Sequence, residues 1–153
     1  MTRTLVTIPD PILRKIAEPV TFDKPFDFLE DMKAIVTEHG GQGLAAPQVG
    51  VSKRVILIWD HNLKMFLFNP EFIYGKIGLA KLNEGCLSCP GRRGFTLRFK
   101  MVKLRYQDEK GEWRSLKVRD NVAFIVQHEM DHLDGKLIID AVVTPPKLLK
   151  MKA

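Results

Sequence analysis

Residues 127–135 read "QHEMDHLDG": His128 and His132 stand four apart, Glu129 follows the first histidine directly, and Gly135 closes the stretch. On an α-helix, residues at that spacing are neighbours on one face, about 40° apart around the axis, so both imidazoles can reach one metal ion. A carboxylate one position after the first ligand stands beside the metal and not on it, where a general base belongs. The competing reading is the polar face of a surface helix, because H-E-x-x-H also arises by chance. Phe124 and Ile125 argue against it: four and three residues before His128, they put apolar side chains on the same face. Histidines on that face point inward, where an unpaired imidazole is costly.

A catalytic metal needs a third protein ligand and an open position. The protease pattern H-E-x-x-H-x-x-G-x-x-H would place its third histidine on Ile138, and Glu129 is the last glutamate of the chain, so a downstream glutamate ligand is excluded as well. Asp140 keeps a metallopeptidase open. Upstream, "NEGCLSCPG" supplies Cys86 and Cys89, whose thiolates are stronger ligands than His39 or His61, which stand without ligand spacing around them. Both cysteines with both histidines would make a closed, structural Cys2His2 site, as in a non-enzymatic zinc-stabilised RNA-binding module. The two pairs are separated by far more than the about 12 residues of a finger, which excludes a classical finger but leaves such a module open. A redox C-x-x-C is disfavoured, because Pro90 and Gly91 follow Cys89 where a helix would be needed.

The elements that must position these residues show in the periodicity. "DPILRKIAEPV" predicts a short helix between prolines, and "PFDFLEDMKAIVTEHGG" spaces Phe28, Met32, Ile35 and Val36 at helical intervals up to Gly40 and Gly41. A glycine-rich loop follows. "RVILIWD", "KMFLFNPEFIYG" with its Pro70, and "LAKLNEGCLS" predict three strands. "RFKMVKLRYQDEKGEWRSLKVRD" predicts a hairpin turning at "DEKG", since Met101, Lys103 and Arg105 alternate with Val102, Leu104 and Tyr106. The period then switches to that of a helix over 120–135, with Asp120 as N-cap and Gly135 at the C-terminal cap. Strands followed by one long late helix imply an α+β domain, a mostly antiparallel sheet packed against the helix that carries H-E-x-x-H.

At 153 residues with 45% hydrophobic content, the chain suits a single catalytic domain over 1–153, with a short basic tail from about 144 to 153. The formal charge of +6 is spread along the chain, which reads as a solvated basic surface and not as a specific DNA-binding face. No apolar run approaches the roughly 20 residues that cross a bilayer. "MTRTLVTIPDPILRK" lacks the apolar stretch of a secretory signal, and two cysteines are too few for a disulfide scaffold. A cytoplasmic protein with no membrane partner is the expectation.

Three stretches, "GQGLAAPQVG" (41–50), "EGCLS" (84–88) and "QHEMDHLDG" (127–135), match in order and form the motifs of the peptide deformylases. The chain resembles that family over most of its length, from "PDPILRKIAEPV" to about Asp140. The resemblance implies a metal-dependent hydrolase that removes the N-formyl group from formyl-methionine at the start of polypeptides emerging from the ribosome. It implies Cys86, His128 and His132 as holders of one divalent ion, Glu129 as the base, and Gln48 with the Leu87 N–H as donors to the oxyanion. Cys89 falls at a variable position and is no ligand on this reading. The likeness suggests Fe2+ in cells, with Zn2+, Ni2+ or Co2+ as substitutes, and the ligand types alone admit iron or zinc.

Substrate-facing positions follow from the same resemblance: Gln42, Gly43, Leu82, Glu84, Arg93, Phe124 and Ile125. Leu82, Phe124 and Ile125 are the expected walls of the methionine pocket. Gly41, Gly43, Ala45 and Ala46 let backbone approach backbone, as a peptide added like a strand requires. Glu84 and Arg98 are expected to pair and stiffen the Cys86 turn. Gln42 stands where the family is usually apolar, which implies an altered preference beyond methionine. After Gly135, "KLIIDAV" departs from the family's usual Phe and Arg, and "TPPKLLKMKA" stands where bacterial members carry a longer ribosome-contacting helix. Weak ribosome association through the basic surface is therefore expected.

Overall fold

The computed structural model describes residues 2–140 and 150–152, so most of the expected basic tail lies outside the described residues. One six-stranded sheet organises them. Its strands are β1 (Gly43–Ala45), β2 (Val55–Asp60), β3 (Leu63–Gly85), β4 (Arg93–Gln107), β5 (Trp113–Arg119) and β6 (Lys150–Lys152). The order is β1-β2-β3-β4-β5, antiparallel throughout, with β6 added in parallel beside β3. Two helices flank it, α1 (Leu29–Glu38) and α2 (Asp120–Leu133). This is the expected α+β class, although the sheet has helices on both faces and not on one.

The apolar run of β2 explains that arrangement. Successive strand side chains point to opposite faces, and Val55, Ile56, Leu57 and Ile58 are all fully buried. Ile56 and Ile58 join Ala123, Ile125, Val126 and Leu133 of α2 in one core, while Val55 and Leu57 join Met32, Ile35 and Val36 of α1 in another. Removing one such buried side chain costs about 2–5 kcal/mol.

The strands expected over 64–75 and 79–88 are one continuous strand that ends at Gly85. Its ladder with β4 slips between Phe68 and Glu71, Phe72 and Tyr74, and Lys76 and Leu79. Pro70, with no N–H to donate, falls at the first slip, and Gly78, at φ +73, at the last. Bulges thus absorb the residues that read as strand breaks. β4 starts at Arg93, earlier than the expected hairpin, because it follows β3 to the end. The β4–β5 turn is as expected: Asp108 accepts from the N–H groups of Lys110 and Glu112.

Two other expectations are corrected. The early helix is only a four-residue 3-10 turn, Pro11–Arg14, capped by Asp10. Beyond it the backbone is drawn into tertiary bonds, Ala17 N–H to Leu133 O and Arg54 N–H to Glu18 O, which a longer helix could not make. Asp120 is not the N-cap of α2; Arg119 is, and Asp120 is the first helical residue at φ +52. β5 runs into α2 without a linker, so the change of direction falls on that residue. At the other end Gly135 has φ +72, and a Cβ there would stand 2.5 Å from Arg14 O.

Among the described residues, no helix is long and apolar enough to cross a membrane.

Candidate active site and metal centre

α2 and the turn after β3 meet at a cavity of about 920 Å³. Helical spacing sets the His128 and His132 rings side by side, their centroids 5.2 Å apart. Cys86, the first residue beyond β3, brings its Sγ to 3.3 Å from His132 Nε2. One donor atom from each of Cys86, His128 and His132 lies within 4.8 Å of the others. A soft sulfur and two imidazole nitrogens so gathered suit a four-coordinate divalent ion with one position left over. The ligand set expected from the sequence is thus brought together.

His128 is held from behind. His128 Nδ1 lies 3.0 Å from Glu84 Oε1, which fixes the ring and leaves Nε2 toward the cluster. Arg98, 2% exposed, clamps Glu84 through Nε at 3.1 Å and Nη2 at 2.8 Å, and turns its remaining nitrogen to Asp131. Burial alone would raise the Glu84 carboxyl, but bonds from His128 and Arg98 outweigh it and bring the pKa down to about 2. Glu84 lines the cavity, yet both its oxygens are engaged inward; it supports His128 where a substrate contact was expected. Gln127, buried under α2, joins the helix to β4 through both the N–H and the C=O of Phe99. Asp131 and Gln127 lie inside the quoted motif, but only their burial distinguishes them from solvated helix residues.

Glu129 is 4% exposed, and its Oε1 has no hydrogen-bond partner among the described residues. Burial raises its pKa to about 7; the charges of Glu84 and Asp131 add to this, and His128 and Arg98 oppose it. A carboxyl poised near neutrality can both take and give a proton. His132 moves the other way, well below its ordinary value, through burial and the nearby His128 and Arg98, so its ring stays neutral as a ligand must. The Cys86 thiol is pushed up by contact with Cys89 and by burial. Metal binding there must therefore displace a proton.

The stretch expected as a glycine-rich loop folds into β1 and a 3-10 turn, Ala46–Val49. Gly43 is required by packing: a Cβ would lie 2.8 Å from Glu129 Oε2 and 2.8 Å from Ile125 Cγ2. Gln48 Oε1 accepts from Ala45 N–H at 2.9 Å, which turns Nε2 toward Ser88 Oγ at 3.0 Å and Cys86 Sγ at 3.8 Å. Ser88, which sequence reasoning passed over, in turn donates to Val6 O. Leu82, Leu87, Phe124 and Ile125 line the cavity, and Arg93 does so while donating to Asn83 O at 2.6 Å. Gln42 stands at the rim, its side chain accepting from Asn121.

Two alternatives fall on geometry. Asp140 is bound by Arg14 at 2.8 and 3.0 Å and by Leu137 N–H, away from the histidines, so it is no third ligand. Cys89 is buried with Leu13, Leu137 and Ile138 and is absent from the donor cluster, which removes the closed Cys2His2 site.

Known proteins resemble this chain over most of its length. The family model described as polypeptide deformylase matches residues 2–147. A peptide deformylase of Rickettsia akari is 41% identical over 148 residues, covering 89% of this chain and 85% of that protein. The crystal structure of a peptide deformylase from Thermotoga maritima superposes with a TM-score of 0.86 at 37% identity, covering 93% of this chain and 98% of the other. A class I type b peptide deformylase from Acinetobacter baumannii, solved with Met-Ala-Ser bound, gives 0.84 at 33% identity, covering 91% and 98%.

Proposed function

The chain belongs to the peptide deformylase family and removes the N-formyl group of nascent polypeptides, and we propose that Cys86, His128 and His132 hold the cation while Glu129 moves the protons. One observation carries the assignment: the three donors meet within 4.8 Å, beside a buried carboxylate with a free oxygen.

When bound, a divalent cation supplies Lewis acidity that polarises the formyl oxygen and acidifies water. Glu129 takes the proton of the attacking water and returns it to the departing amine, so that formate and a free methionine amine result. Gln48 Nε2 and the Leu87 N–H donate to the oxygen as it gains charge; losing one such donor costs about 100–1,000-fold in rate. Fe2+ is the proposed ion in cells.

The peptide lies along β1. Gln42 O already accepts from Trp59 N–H, so by antiparallel alternation the Gly43 N–H and C=O face away from β2, open to an added strand. The methionine side chain fits between Leu82, Phe124 and Ile125. Met-Ala-Ser, the ligand of the Acinetobacter relative, is a peptide of this class. We place the enzyme in the cytoplasm, with weak attraction to the ribosome through its +6 charge.

Formate release from a formyl-Met tripeptide by iron- or nickel-loaded protein tests the reading. Glu129→Ala should lower the rate by about 100–10,000-fold. No formate from the wild type, or full rate in the variant, ends it.

A further inference from the structure

Cys89 has no part in the proposed reaction, yet it lies against the ligand sulfur. Its N–H donates to Cys86 O at 3.0 Å, closing a four-residue turn. The end Cα atoms of such a turn lie within about 7 Å, and a disulfide spans about 4.4–6.8 Å between Cα atoms. Cys86 packs on the small core that Cys89 forms with Leu13, Leu137 and Ile138. Both cysteines line the same cavity, Cys86 half-buried and Cys89 1% exposed. An oxidant entering the cavity therefore meets Cys86 first, with a second sulfur directly behind it.

We propose that Cys86 and Cys89 form a reversible intrachain disulfide when the cation is absent, as a modification site that guards the ligand sulfur. The co-reactant is a low-molecular-weight disulfide such as oxidised glutathione. Cys86 sulfur attacks it, a mixed disulfide forms and one glutathione leaves. Cys89 sulfur then attacks Cys86 sulfur, the mixed disulfide breaks, and the second glutathione leaves. Two thiols become one disulfide while the oxidant is reduced to two thiols, each carrying away one cysteine proton. The bridge keeps Cys86 off the irreversible sulfinic and sulfonic steps. It is no catalytic dithiol, since Pro90 and Gly91 follow Cys89 and no helix begins there.

The inference rests on Cys86 as the metal ligand, and the experiment separates the two. Metal-free full-length protein is treated with oxidised glutathione, then followed by intact mass, thiol titration and peptide mapping. The expected product has lost two hydrogens, both titratable thiols and all metal uptake, carries no glutathione, and recovers fully with dithiothreitol. Cys89→Ser, or Cys89→Ala should the serine disturb that core, should instead retain one glutathione on Cys86. A stable glutathione adduct on wild-type Cys86, or a wild type that stays fully reduced, overturns the bridge; the wild-type map decides this without any variant. Cobalt loading of the reduced protein reads the ligand separately. A thiolate-to-cobalt absorption band is expected in wild type and Cys89→Ser, and its loss in both, with the bridge still forming, overturns the ligand assignment alone.

Discussion

Arg98→Ala removes a buried cation that holds two carboxylates, half-buried Glu84 and buried Asp131. The guanidinium binds Glu84 through two nitrogens and Asp131 through the third, at 2% exposure. Deleting one member of a buried ion pair costs about 3–5 kcal/mol, because the partner keeps an uncompensated charge. Glu84 accounts for part of that magnitude. Its pKa falls from 4.5 to about 2 on folding, about 3 kcal/mol of stability at about 1.4 kcal/mol per unit. This is shared between the His128 hydrogen bond and Arg98, so Arg98→Ala removes only the Arg98 share. The sign follows from the depressed value: the contribution is fully present above pH 4.5 and is lost as pH falls toward 2. Asp131, already raised by burial against the pull of Arg98, rises further without it, adding a cost at neutral pH that acid relieves. Urea unfolding of metal-free protein at pH 7 should show a midpoint lower by about 1–2 M. The gap between wild type and variant should close as pH falls from 5 toward 2. Metal affinity should drop about 10–100-fold, since Glu84 no longer fixes His128. Equal midpoints at pH 7, or a gap that does not change with pH, would refute the reasoning.

Other expectations follow from the same geometry. Cys86→Ala should lose bound metal by elemental analysis, whereas Asp140→Asn, which breaks only the Arg14 pair, should keep it; the opposite result revives the peptidase ligand set. Gly43→Ala pushes a methyl to 2.8 Å from Glu129 Oε2, so thermal unfolding should show a loss of about 1–3 kcal/mol with a fall in formate release. Unchanged values on both assays would mean that β1 and α2 are not packed as described. Glu129→Gln should stabilise the metal-free protein at pH 8. With its folded pKa raised to about 7, the carboxyl has no effect below 4.5, destabilises increasingly as pH rises from 4.5 to about 7, and destabilises fully above that. A gap between variant and wild type that is no larger at pH 8 than at pH 4 would contradict the burial of that charge.

The chemistry of this chain is written in local pattern. The four-residue spacing of His128 and His132 puts both imidazoles on one helix face whatever packs around it, because side-chain direction on a helix follows from residue number alone. The likeness of "GQGLAAPQVG" and "EGCLS" to family motifs pointed to Gln48 and Cys86 as candidates for oxyanion donor and third ligand, while residue types alone left the third ligand open. Helix and strand types were legible wherever the period was unbroken. The length of β3 was not, since Pro70 and Gly78 read locally as breaks, and only pairing with β4 shows them as bulges. The curtailed early helix was settled by contacts distant in sequence. The choice among Cys86, Cys89 and Asp140 was tertiary in the same sense. All three have the right atoms, and what excludes two of them is Arg14 lying on one and a leucine and isoleucine core around the other. The Arg98 clamp on Glu84 and Asp131, the Ser88 contact that aims Gln48, and the burial that brings Glu129 near neutrality are collective. They depend on what surrounds a group and on which waters it loses, and neighbours along the chain do not carry that information.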